Sequence, residues 1–205
     1  MKFKTKKYLK RNLLDNENYI RERCDLIEFV SSKIESIPEI EFSFFNDHLI
    51  YKQEYVYKCR EDVTSTSSER ILLNLSKDLD KLYSFKFVHG DINYSNVIYN
   101  GKSLKLIDLE PSFRQYKNGH NVLVSGLSFR SCNDFRNKKI TSETDKIGFY
   151  FLCNYYLNRK SNYTYNRRLF RDRIRKNISF KIPEKNLVNM SFKGIYESIT
   201  EMYKK

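Results

Sequence analysis

Apolar positions along the chain follow two periods, one helical and one extended. From Asn16 onward Tyr19, Ile20, Cys24, Ile27, Val30 and Ile34 recur at steps of three and four, which lines one face of a helix that stops ahead of Pro38. Ile71, Leu72, Leu75, Leu79 and Leu82 repeat the pattern in a second helix that ends near Phe85, and the polar run Thr64 to Ser68 before it supplies N-cap candidates. Between the helices, Glu41 to Phe45 and His48 to Tyr57 are predicted as strands, with Asn46-Asp47 as their turn. Met1 to Leu9, where Phe3, Thr5 and Tyr8 stand among lysines, is predicted as a short exposed strand. Asn96 to Tyr99 and Leu104 to Asp108 flank Asn100-Gly101, a strong hairpin signal. A long polar segment, Pro111 to Ser142, precedes an aromatic-rich helix from Asp145 to Leu157, and the final third is predicted to be helical and basic.

This pattern describes an α+β chain of 205 residues, one modest domain or one core with a small appended lobe. The boundary is expected between Cys59 and Ser68, giving a unit of residues 1–60 and a larger one of residues 61–205. Hydrophobic residues make up 40% of the chain and aromatics 15%, enough for a core and against wholesale disorder. With only 6 glycines and 3 prolines, collagen-like and low-complexity architectures are excluded. Cys24, Cys59, Cys132 and Cys153 form no CxxC pair and have only His48, His89 and His120 as co-ligands, so neither a zinc site nor a disulfide framework is expected. They read as thiols in a reducing compartment. The longest apolar stretch, Ile147 to Leu157, falls far short of the roughly 20 residues of a membrane span. A cytoplasmic location is expected, peripheral to the inner membrane, or the host cytosol if the chain is a secreted effector.

The chemistry concentrates in His89-Gly90-Asp91-Ile92-Asn93-Tyr94-Ser95-Asn96 and in Asp108, twelve residues beyond Asn96, within Leu106-Ile107-Asp108-Leu109-Glu110. Phosphoryl transfer needs such a set: one carboxylate to orient and deprotonate an attacking hydroxyl, and a second carboxylate with an amide oxygen to hold Mg²⁺ against nucleotide phosphates. Asp91 suits the first role, Asn96 and Asp108 the second.

The motif resembles the catalytic loop HxDxxxxN and following metal-binding Asp of the protein-kinase-like superfamily. Its HGD form and Ile107-Asp108-Leu109-Glu110 are most similar to the aminoglycoside phosphotransferase, choline kinase and lipopolysaccharide core kinase branches. The resemblance implies a protein-kinase-like fold with a reduced N-terminal lobe and a mainly helical C-terminal lobe. It implies Asp91 as catalytic base, Asn96 and Asp108 as metal ligands, His89 as a support of the loop, Glu110 as a weaker metal-side candidate, and ATP and Mg²⁺ as cofactors. It also makes His48 to Tyr57 the strand and hinge, with Glu54 and Val56 offering backbone groups to adenine. Ser125 to Ser131 and the following helix are similar to the end of a protein-kinase activation segment, with Asp145 bracing the catalytic loop.

One departure is plain: no glycine precedes Gly90, so a glycine-rich phosphate cradle is missing from this sequence. For the lysine on the α and β phosphates, Lys7 is the first choice because apolar residues follow it. Strand alternation sets Lys4 and Lys6 on the other face, and these stay open. Its helix partner would be Glu22 or Glu28.

The net charge of +13 gathers at Met1 to Arg11 and Asn158 to Lys176. Such charge suits nucleic acid, an anionic membrane or a phosphorylated glycolipid. No RNA- or DNA-binding motif accompanies it, so nucleic acid is not the expected partner. A hydroxyl-bearing acceptor is expected, first a sugar of a bacterial glycolipid or polysaccharide. A protein Ser/Thr comes second, and an inactive pseudokinase serving as a basic binding module third.

Overall fold

The computed structural model describes residues 2–9, 17–59, 65–109, 131–137, 140–157 and 182–204. The first apolar period becomes α1 (Glu17–Lys33), which buries Ile20, Cys24, Ile27 and Val30 on one side. After it, Ile34 N donates to Val30 O and Ile37 N to Ile34 O. Pro38, with no N–H, cannot extend the series.

Strands β1 (Phe3–Leu9), β2 (Ile40–Phe44) and β3 (His48–Glu54) form an antiparallel sheet in the order β1-β3-β2. Lys4, Lys6 and Tyr8 stand opposite Gln53, Tyr51 and Leu49, all three of which are buried. Residues directly opposite one another share a face. Lys4, Lys6 and Tyr8 therefore occupy the inner face of the sheet, and Thr5 and Lys7 the outer. Strand β3 is three residues shorter than the sequence predicts because its partners run out at Phe3 and Ile40. Tyr55 N, just past its end, reaches Lys2 O instead.

The second period becomes α2 (Ser65–Ser84), with Ile71, Leu72, Leu75, Leu79 and Leu82 buried. The Asn100-Gly101 turn joins β4 (Val97–Tyr99) to β5 (Leu104–Leu106). The polar segment contains a short helix the periodicity does not reveal, α3 (Cys132–Asn137). Helix α4 (Ser142–Leu157) begins three residues ahead of prediction, because the Thr141 hydroxyl accepts from Glu143 N and caps it. Of the basic final third, residues 158–181 lie outside the described residues. Beyond them come α5 (Glu184–Leu187) and α6 (Phe192–Tyr203). The α6 N-terminus is closed twice: Ser191 Oγ accepts from Gly194 N, and Asp80 of α2 accepts from Phe192 N and Lys193 N.

One apolar cluster runs from Ile27, Val30 and Tyr51 through Leu72, Leu75 and Leu79 to Ile147, Leu152, Ile195 and Ile199. Truncating any of its fully buried leucines to Ala costs about 2–5 kcal/mol. Polar bonds fix the loop after α1 onto the rest: Ser36 N donates to Asp78, Lys81 Nζ to Lys33 O, and Leu106 N to Ser36 O. The architecture is mixed α+β. Among the described residues no helix is long and apolar enough to cross a membrane.

Candidate active site

Phe87, Ile92 and Val97 are buried, pinning the segment 87–97 at three points. Segment 87–91 forms no strand; its backbone is held by a side chain instead. Asp145, in the first turn of α4, accepts from His89 N through Oδ2 and from Gly90 N through Oδ1, each at 2.7 Å. Gly90 has φ +83°, and a Cβ there would meet Ile140 Cγ2 at 3.0 Å, so glycine is required at this bend. One helical turn past Asp145, a Cβ on Gly148 would stand 2.4 Å from Ile92 O, and the missing side chain is what lets α4 reach the loop.

Burial pushes the Asp145 carboxyl up to about 6, against the opposing pull of the neighbouring His89 and of the two backbone N–H groups. His89 in turn accepts from Asp91 N at Nδ1 (3.2 Å) and holds Ile107 O at Nε2 (3.0 Å). A neutral ring protonated on Nε2 satisfies both contacts. His89 thereby ties the loop to the end of the β4–β5 hairpin.

The loop then closes on itself. Asn93 Oδ1 accepts from Ser95 N and Asn96 N, and its Nδ2 donates to Asp91 O. Asn96 Nδ2 donates to Asp91 O (3.0 Å) and to Asp91 Oδ2 (2.9 Å), leaving Asp91 Oδ1 and Asn96 Oδ1 without a donor among the described residues. Asn96 O accepts from Ile107 N at 2.8 Å. Ile107 is thus bonded at both ends of its residue, Leu109 is buried, and Asp108 between them takes φ +69°. That left-handed conformation costs a non-glycine residue roughly 1–2 kcal/mol, and here its two anchored neighbours enforce it. The Asp108 side chain is 47% exposed, with Lys6 Nζ 3.7 Å from its Oδ1.

Asp91, Asn96 and Asp108 are therefore brought together, and the lysine that joins them is Lys6. Lys7, the first choice from sequence, is exposed on the outer face, and Lys4 is exposed two residues from Lys6. Glu22 is exposed on α1 and forms no ion pair with Lys7. Glu28 is half-buried and accepts from Phe42 N, which ties α1 to β2. Glu54, the last residue of β3, donates through its backbone N to Glu39 O, and Val56 is half-buried in the segment that follows. That segment meets the hairpin through Cys59 N and Tyr99 O. Glu110 and residues 125–130 lie outside the described residues.

Asn93 and Gly148 are the positions the sequence reasoning passed over. Asn93 had a readable signal, since Asn followed two residues later by a polar turn residue favours an Asx turn. Gly148 had none.

Among the described residues no three His, Cys, Asp or Glu side chains cluster as a metal site. The donors available at the loop are two carboxylates and an amide oxygen. That oxygen-only set suits Mg²⁺, which commonly takes one or two carboxylates and completes its shell with phosphate oxygens and water. Two of the thiols are poor ligands: Cys24 is buried, and burial with the neighbouring Glu28 and Asp25 pushes it up to about 12. Burial likewise raises Cys153. No family model matches the chain, and no curated protein matches it.

Proposed function

We propose that the protein is a phosphotransferase that moves the γ-phosphoryl group of ATP to a hydroxyl, with a sugar of a bacterial glycolipid or polysaccharide as the acceptor. The observation that carries this reading is the convergence of Asp91, Asn96, Asp108 and Lys6 on one rigid loop and hairpin end. The resemblance to the protein-kinase-like superfamily at His89 to Asn96 and Ile107 to Glu110 supports the same assignment.

Asp91 is the base. Asn96 holds its Oδ2, leaving Oδ1 to take the proton as the acceptor oxygen bonds to the γ phosphorus and the bond to the bridging oxygen of ADP breaks. Asp108 and the Asn96 amide oxygen would hold Mg²⁺, which neutralises charge on the transferring phosphoryl group. Lys6 supplies a cation on the sheet side of the same phosphates. Most of the rate enhancement then comes from positioning and from fixed charge.

A protein Ser/Thr acceptor is the second reading, favoured by the Asp145 brace under the loop, which the comparison with protein kinases predicts. The test is direct. Mg·ATP is expected to raise the melting temperature of the protein and to do so far less for Asp108→Ala; equal or absent shifts would overturn the enzyme reading. Labelled ATP offered with extracted glycolipid and with generic protein substrates then assigns the acceptor, and label in protein alone would overturn the sugar preference.

A further inference from the structure

Arg21 and Arg23 stand two residues apart on α1 and reach in different directions. The guanidinium carbon of Arg21 lies 4.1 Å from the centre of the Phe44 ring on β2, and that of Arg23 lies 4.0 Å from the ring of Phe87, which leads into the catalytic loop. From there Arg23 Nη2 donates to Val88 O at 3.0 Å, across 65 residues of sequence. The nitrogen of that same peptide group is also held: His89 N donates to Asp145 Oδ2 at 2.7 Å. One peptide plane therefore has a guanidinium on its oxygen and a carboxylate on its nitrogen, each bearing the charge its dipole favours.

This peptide matters because of what hangs from it. Gly90 follows at φ +83°, with no side chain to restrict its rotation, so the loop cannot hold the orientation by itself. The His89 ring takes Asp91 N at one nitrogen and holds Ile107 O at the other. Turning the Val88–His89 peptide would move the tethers of Asp91 and Asp108 together. Arg23 also connects the loop to the strand of Lys6. The N-terminal half of α1 buries Ile20 and Cys24 against Leu49 of β3, with Tyr8 of β1 and Phe42 and Phe44 of β2 packed around them.

Packing alone does not account for an arginine at this place. Its Nε is buried with no hydrogen-bond partner, and among the described residues no carboxylate pairs with it. An apolar side chain of similar length would avoid that unmet donor. The hydrogen bond that Arg23 does make goes to the loop. We infer that Arg23 is a positioning residue for phosphoryl transfer, acting on Asp91 through the Val88–His89 peptide. This role rests on the phosphotransferase reading above, and the test lets the two fail separately.

The full chain is labelled with nitrogen-15 in its histidines, and the imidazole signals are recorded at mildly alkaline pH, which favours neutral rings. His89→Gln identifies the His89 pair by its loss. Release of phosphate from Mg·ATP to water is measured on the same samples. Wild type and Arg21→Met are expected to show one His89 tautomer, protonated at Nε2. Two variants remove the contact: Arg23→Met, and Arg23→Gln, whose amide nitrogen ends two bonds short of the Nη atoms. Whichever of these folds should show both tautomers, with kcat down about tenfold and KM for ATP changed less than about twofold. Arg23→Lys, which keeps a charged donor, should recover most of both losses. A single Nε2 tautomer with unchanged kcat in the variants overturns the role. So does a fall in kcat with the His89 pair unaltered, which would put Arg23 on the substrate instead. A wild type whose His89 signal depends on Arg23, yet which neither releases phosphate nor melts at a higher temperature with Mg·ATP, keeps the clamp and removes the phosphotransferase reading.

Discussion

Asp145 is bonded to the backbone of the 89–96 loop and Asp108 follows the residue, Ile107, that bonds to it, and the protein handles their charges in opposite ways. Asp145 is buried, and both of its oxygens are taken by backbone N–H groups whose positions it fixes. Asp134, close by in sequence, is treated alike: buried, it accepts from Thr141 N and from the hydroxyls of Thr141 and Thr144. Asp108, by contrast, is half exposed in a left-handed conformation with one ammonium 3.7 Å away, and Asp91 keeps an oxygen that no described donor occupies. A carboxylate saturated by donors has finished its work in folding. One held rigidly but left under-coordinated retains its capacity for a metal, a proton or a substrate.

The largest expected effect separates these two classes by activity. Asp91→Asn removes the proposed base while keeping a side chain that can meet Asn96. The rate of phosphoryl transfer should fall about 10³-fold with little change in the thermal midpoint. A variant that loses stability in proportion to activity would instead place Asp91 with Asp145, among the structural carboxylates.

The second effect is on stability and follows from the burial of Asp145. Its ordinary value is 3.8 and its folded value about 6. Below 3.8 the group is protonated in both states. Between 3.8 and 6 the unfolded chain gives up the proton while the folded protein keeps it, so stability falls as pH rises, by at most about 3 kcal/mol over the window. Asp145→Asn does not titrate. The stability of the wild type relative to this variant, from urea unfolding at pH 4 and pH 7, should therefore be greater at pH 4; a difference independent of pH would mean that the two N–H bonds offset desolvation, and a greater one at pH 7 that they outweigh it.

The sequence reveals these two classes unequally. The loop was legible because Asp91, Asn96 and Asp108 are joined by a tight turn and a hairpin, and short-range spacing is what a sequence states directly. The α+β class and the buried faces of α1 and α2 were legible for the same reason, through a period of three and four. Contacts that depend on two distant segments were less so. Asp145 entered through resemblance, while the start of its helix depended on a Thr141 cap inside a polar run without period. The choice among Lys4, Lys6 and Lys7 stayed open because alternation says which lysines share a face and leaves undecided which face is inner. That decision belongs to the buried Leu49, Tyr51 and Gln53 of β3, more than forty residues away in sequence.

The smallest expected effect tests that decision at the exposed rim. With β1 in its observed register, Lys6 pairs with Tyr51 and faces Asp108, and Lys7 pairs with Ile50 and faces away. Bringing Lys7 inward would require a slip of one residue, which turns Tyr8 out of the core along with Lys6. Lys6→Ala should therefore weaken Mg·ATP binding about tenfold, the loss of one ammonium from the phosphates, while Lys7→Ala changes it less than about twofold. Calorimetric titration of both variants reads the ratio. Equal losses would mean that the lysines act through general charge at the strand, and a larger loss for Lys7 would reverse the assignment of the two faces.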